Sequence, residues 1–236
     1  MNNVNKQLYI LSLFIITTVF LLYKRSFVDD VPSCDNYITN VYLYILLGIL
    51  ILNFTVIFIS KRNFAITNNK SLIFFIIAIF LIFLLHSTDP KDVFLNHFIW
   101  LLFILSLSIN FYTILRYGKH KDTIVNTSII VLVLFTCLTL IAHIKPEWVN
   151  LNLGSTLLIA LFTGILIQLI PLFSGKPLNK FYKKILSGMF VFIFIMLILY
   201  DTKILRIKAA SCTFPNYPKD SISLFLDVIN LFVNLK

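Results

Sequence analysis

Long apolar segments without charged residues occupy most of this chain and constrain its fold more than any other feature. Eight are present, with the approximate bounds 8–23, 37–60, 71–88, 93–115, 124–144, 153–173, 185–200 and 221–235. A helix needs about 20 such residues to cross about 30 Å of hydrocarbon, and the five central segments reach or approach that length. We therefore predict an all-α, multi-pass integral membrane protein whose connections are too short for a soluble domain.

The composition agrees with a membrane protein. Hydrophobic residues make up 59% of the chain and charged residues 13%, whereas soluble domains carry about 25% charged residues. The net charge of +10 would suggest a nucleic-acid partner in a soluble protein. Here we expect the bilayer to be the partner, with basic side chains against anionic headgroups and no nucleic acid bound.

The first apolar segment is a candidate signal peptide or a retained anchor. Tyr23, Lys24 and Arg25 follow it without a small-residue cleavage pattern, which favours an anchor helix. We predict an N-terminal anchor helix and loop over 1–36 and a transmembrane bundle over 37–236. The first, seventh and last segments are short, so each either spans obliquely or enters the membrane and returns.

The basic residues predict the orientation. If all eight segments span, one side holds twelve Lys and Arg residues in the N-terminal tail, 61–70, 116–123, 174–184 and the C-terminus, and the other side holds eight. Because cytoplasmic loops are enriched in Lys and Arg, we predict that both termini are cytoplasmic. Cys34 and Cys212 then share the outer side, where an oxidising compartment would permit a disulfide; chance placement of two unpaired cysteines is the alternative.

Asp227 is the ionisable residue placed deepest in an apolar segment. Ser223, Asp227, Asn230 and Asn234 follow the spacing i, i+4, i+7, i+11, which places them on one narrow stripe of a helix. An interfacial helix would instead carry a wide polar face rich in Lys and Arg. The stripe therefore favours a helix that lines a narrow polar path among other helices.

Asp201 ends the seventh segment, and two interpretations remain open for it. It is either a solvated residue at the membrane boundary or the partner of Asp227. Two buried carboxylates repel, so such a pair retains a proton and titrates as a unit. It would serve as a proton-sensitive latch or as a cation site, because Ca²⁺ prefers oxygen ligands.

These residues carry a family resemblance. Tyr200-Asp201-Thr202-Lys203, followed by L-F-L-D-V-I-N-L-F over 224–232, resembles the C-terminal signature Y-D-T-Q and L-Y-L-D-[IV]-[IV]-N-L-F of the transmembrane Bax inhibitor motif family. The resemblance implies seven helices around a central C-terminal helix, with the segment 8–23 as an extra N-terminal helix. It further implies that Asp201 and Asp227 form a pH-sensing pair that gates a calcium leak, with Ca²⁺ transported and no cofactor. Members often modulate cell death from endoplasmic-reticulum or Golgi membranes.

The chain departs from the family pattern at three points. Lys203 replaces Gln, and the predicted second family helix, 71–88, lacks a basic partner for the aspartates other than His86. The family orientation also places the 201–220 connection in the cytosol, opposite to the orientation that the charges predict. The missing basic partner and Lys203 favour an alternative function, a scaffold of a membrane-bearing particle that keeps the fold without transport, whereas the intact polar stripe opposes it. No catalytic motif occurs in the sequence, so we expect no enzymatic activity.

Overall fold

A computed structural model describes residues 3–62, 64, 66–117, 121–174 and 179–235. Eight α-helices follow one another along this part of the chain. They are α1 (Asn3–Ser26), α2 (Tyr37–Lys61), α3 (Asn68–Ser87), α4 (Val93–Tyr117), α5 (Lys121–Ile144), α6 (Leu153–Ser174), α7 (Lys180–Ala210) and α8 (Tyr217–Leu235).

Each helix contains one of the eight predicted apolar segments, which confirms the prediction of an all-α, multi-pass membrane protein. Among the described residues, six helices are long and apolar enough to cross a bilayer: α1, α2, α3, α4, α5 and α7. The apolar part of α6, Leu153–Gln168, is shorter. The last helix, α8, is not among the six, and Ser223 is its one exposed residue, so α8 is enclosed by protein along its length.

The seventh helix corrects one sequence-based expectation. The apolar segments predict a connection over 201–220, but α7 continues through Asp201 to Ala210 and α8 begins at Tyr217. The sequence between 201 and 210 contains neither Gly nor Pro, so nothing in it breaks the helical backbone. Asp201 therefore lies within a helix and not at its end.

A two-stranded hairpin separates α1 from α2, in a segment predicted only as a loop. Strands β1 (Phe27–Val28) and β2 (Val31–Pro32) pair antiparallel. The turn residues Asp29 and Asp30 both have positive φ, 49° and 63°. Such a two-residue turn matches the twist of the strands, and Asp is among the few residues that adopt this backbone readily.

The chain divides into two compact units. The first comprises Met1–Lys119 with Ala209–Ile222, and the second comprises His120–Lys208 with Ser223–Lys236. Both units therefore contain parts of α7 and α8. Each of the basic stretches that predicted the orientation includes residues outside the described part of the chain, namely 1–2, 63, 65, 118–120, 175–178 and 236.

In the first unit, polar contacts fix the beginning of α8. The Asn40 amide donates to the Tyr217 hydroxyl at 3.1 Å, and that hydroxyl donates to the carbonyl of Ser33. Next to these residues, Cys34 and Cys212 form a disulfide across a sequence separation of 178. The two cysteines considered as a candidate pair in the sequence are thus joined in the structure.

In the second unit, glycines allow α6 to approach α7 closely. A Cβ atom added at Gly164 would lie 2.7 Å from the Phe190 ring, and one added at Gly154 would lie 2.6 Å from the Tyr200 ring. Small residues at helix interfaces allow this close packing in membrane proteins. These two contacts hold α7 against α6 as far as Tyr200, the residue that precedes Asp201.

Candidate functional site

Asp227 lies at the buried middle of α8. Its exposed fraction is 5%, and its neighbours along the helix are apolar. Its Oδ2 atom is buried without a hydrogen-bond partner. A buried carboxyl oxygen without a hydrogen-bond partner costs free energy. Among the described residues, no side chain supplies that hydrogen bond to Asp227 Oδ2.

Asp201 of α7 lies against Asp227, in the same unit. The two carboxyl groups form a side-chain hydrogen bond, and Asp201 forms another with the hydroxyl of Ser223. A hydrogen bond between two carboxyl groups requires a proton on one of them. Two adjacent buried carboxylates repel, and this repulsion favours the retention of one proton by such a pair.

A basic side chain also acts on the pair. Lys208 attracts Asp201 electrostatically from the same helix, and its own side chain is exposed. We missed Lys208 in the sequence because we expected the helix to end at Asp201. The spacing i, i+7, two helical turns, would have identified it if α7 had been extended past Lys203.

Two further cations of α7 are bound to backbone carbonyl groups. The Lys203 ammonium donates to the carbonyl of Val149 at 2.6 Å, and the Arg206 guanidinium donates to the carbonyl of His143 at 2.8 Å. These contacts connect the last turns of α7 to the region between α5 and α6. Lys203, which replaces the family glutamine, thus has a structural partner.

The residues of the predicted polar stripe of α8 differ in their contacts. Ser223 is exposed and bonds to Asp201, whereas the amides of Asn230 and Asn234 donate to the carbonyls of Leu226 and Asn230, at 2.9 and 2.8 Å. Those two amides satisfy part of their hydrogen-bonding capacity within the helix itself. Ser223 is accordingly the stripe residue that shares a contact with the carboxyl pair.

His86, the candidate basic partner, belongs to the first unit, whereas both aspartates belong to the second. It is exposed near the end of α3, and its Nδ1 pairs with the carbonyl of Ile82 at 2.9 Å. The histidine role remains a prediction. The basic residue that acts on Asp201 within its own unit is Lys208.

The aspartate pair is also the predicted calcium site. Among the residues that the structure describes, no group of three or more His, Cys, Asp or Glu side chains is close enough to hold a metal ion. Ca²⁺ takes six to eight oxygen ligands, which is more than the two carboxyl groups and the one hydroxyl supply.

The family described as "Inhibitor of apoptosis-promoting Bax1" matches residues 34–236, a range that includes α2 to α8 and both aspartates and leaves α1 outside. No curated protein matches the chain.

Proposed function

This chain belongs to the Bax inhibitor family of multi-pass membrane proteins, and from that premise we propose that it is a pH-sensitive calcium leak that modulates ion homeostasis and cell death. The observation that carries the proposal is the buried contact between Asp201 and Asp227, in which one oxygen of Asp227 has no partner. Charged residues at such depth are costly and usually functional.

The proposed latch depends on the proton that the two carboxyl groups share. While the proton is present, the hydrogen bond holds α7 and α8 together at this level. When it is lost, two negative charges face each other in a poorly hydrated site, repel, and attract a cation. A change of protonation is thereby converted into a change of helix contact and of cation occupancy.

The test is calcium flux into liposomes that contain the purified full-length chain, measured over a range of pH. We expect wild-type protein to pass Ca²⁺ with a marked pH dependence. Asp227→Asn and Asp201→Asn supply an amide donor that cannot titrate, so we expect each to flatten the pH response. Asp220→Asn is the matched control. Asp220 also lies on α8, but it belongs to the first unit, where it accepts a 2.6 Å hydrogen bond from the Tyr37 hydroxyl, and it is not part of the aspartate pair.

Equal flux from wild type, Asp227→Asn and empty liposomes would contradict the proposal. That outcome would support the alternative function, a scaffold that keeps the fold without transport. One observation favours the alternative: the amides of Asn230 and Asn234 are engaged within α8. A scaffold would in addition remain in a stoichiometric, detergent-stable assembly after purification.

A further inference from the structure

The first unit contains a large apolar cleft formed by α1, α2 and α4. Its volume is about 600 Å³ and it opens to the surface. Leu47 and Ile51 of α2 form its floor, Val19 and Leu22 of α1 line one wall, and residues from 93 to 101 of α4 line the other. Because α1 precedes the family match at residue 34, one wall of this cleft lies outside the family fold.

The polar side chains that line the cleft have already used their donors. Tyr23 donates to Asp30 at 2.6 Å, and the Trp100 indole donates to the hydroxyl of Ser221 at 3.2 Å. The remaining lining is almost entirely apolar. These two side chains offer a ligand no free N–H or O–H group.

His97 and Tyr44 also line the cleft, and their hydrogen-bond donors are likewise occupied. The His97 Nδ1 lies 2.7 Å from the carbonyl of Val93, which accepts only, so in the neutral ring Nδ1 carries the proton and Nε2 accepts. The Tyr44 hydroxyl lies 2.6 Å from Nε2 and donates to it. An anionic carboxylate would find no donor on these side chains, whereas a hydrocarbon chain needs none.

Charged residues of both signs lie next in sequence to lining residues of the cleft. Tyr23 and Phe27, which line it, belong to the end of α1 and to the hairpin. Lys24 and Arg25 in the last turn of α1 are exposed, and so are Asp29 and Asp30 in the adjoining turn. Two cations beside two anions complement a zwitterionic headgroup, whose phosphate and ammonium carry opposite charges.

We propose that the cleft binds one acyl chain of a zwitterionic bilayer phospholipid, with the headgroup at the hairpin and the chain between α1 and α4. The exposed apolar side chains of α1, among them Phe14, Ile16 and Phe20, face lipid in a membrane-spanning chain. The lining residues Val19 and Phe94 are themselves 48% and 83% exposed, so lipid beside α1 and α4 reaches the opening. This site is independent of the aspartate pair, which belongs to the second unit.

The dimensions of the cleft, about 600 Å³, suit a ligand of small-molecule size. That volume lies within the range of about 300–1,000 Å³ that is typical of small-ligand sites.

The test is photolabelling of the full-length protein in phosphatidylcholine vesicles that contain a trace of phosphatidylcholine with a photoreactive acyl chain. After irradiation, labelled peptides are mapped by mass spectrometry. We expect label concentrated at 19–23, 44–51 and 93–101. Val19→Trp fills the opening with an indole ring, and we expect it to reduce that label about tenfold, as the loss of two methylene contacts would.

Leu21→Trp is the matched control, because Leu21 lies on α1 and is 48% exposed but points away from the cleft-lining residues. It should label like wild type. If Val19→Trp does not fold, Leu101→Trp fills the cleft from α4. Unchanged labelling in the filled variants, or label spread evenly over all lipid-facing helices, would overturn the proposal. Preferential labelling by a photoreactive sterol, or a cross-link to a second copy through 19–23, would overturn it as well.

Discussion

The ammonium group of Lys203 donates a 2.6 Å hydrogen bond to the carbonyl oxygen of Val149. Val149 follows the 3₁₀ turn Pro146–Trp148, so the contact fastens the connection between α5 and α6 to α7. A hydrogen bond from a charged donor in a partly buried site contributes more than a neutral one. The residue that departs from the family pattern therefore stabilises the fold.

We predict that Lys203→Met lowers the stability of the protein by about 1–2 kcal/mol, because the Val149 carbonyl loses its donor. Lys203→Arg keeps a charged donor and should restore most of the loss. The measurement is the thermal unfolding midpoint in detergent. Equal midpoints for the methionine and arginine variants would contradict this role.

The Cys34–Cys212 disulfide leads to a second prediction. Replacing both cysteines by serine should lower stability by about 2–4 kcal/mol, because the bridge restricts the unfolded chain over a long loop. Cys137→Ser, at the free and exposed third cysteine, should leave the unfolding midpoint unchanged. Peptide mapping without reductant checks the pairing directly, and recovery of free thiols at both positions would refute it.

Gly164 provides a third prediction, on helix packing. In Gly164→Ala the new methyl group meets the Phe190 ring, which is buried and stacked on Phe194 and so has little room to move. We expect a loss of about 1–3 kcal/mol. Gly188→Ala is the matched control, because a Cβ atom there meets nothing within 4 Å and Ala favours the helix by up to about 1 kcal/mol. The two unfolding midpoints should shift in opposite directions.

The orientation in the membrane is the fourth prediction. The disulfide requires an oxidising compartment, and the distribution of basic residues places the same ends of α2 and α8 on the outer side. A glycosylation acceptor inserted at the Asp29–Asp30 turn should be modified in cells, and one inserted within 174–184 should not. The reverse pattern would establish the opposite orientation and would leave the cysteines in a reducing environment.

Much of the architecture was predictable because the bilayer imposes a simple rule on sequence. Uninterrupted apolar runs gave all eight helices, and the spacing of Ser223, Asp227, Asn230 and Asn234 placed these residues on one stripe. The extension of α7 to Ala210 was missed, because the charge-free apolar segment ends before Asp201, and Lys203 and Arg206 follow it. Their partners are carbonyl groups more than fifty residues away in sequence, a relationship that no local pattern contains.

The candidate site was likewise predictable where it depends on residues close in sequence, and not where it depends on contacts between helices. The depth of Asp227 follows from its apolar neighbours, whereas its pairing with Asp201 was one of two open interpretations, which the family resemblance favoured. The contributions of Ser223 and Lys208 depend on where α7 continues and how it meets α8. Side-chain contacts between helices depend on rotation and register, and apolar composition fixes neither.

The Cys34–Cys212 bridge turns most of the chain into a covalent ring. Helices α2 to α7 lie between the two cysteines, whereas α1 and α8 leave the ring as tails from neighbouring points. A single protease cut in any connection from α2 to α7 therefore opens the ring without releasing a fragment. Nicked protein would migrate as one species until a reductant is added, and would then separate into two pieces.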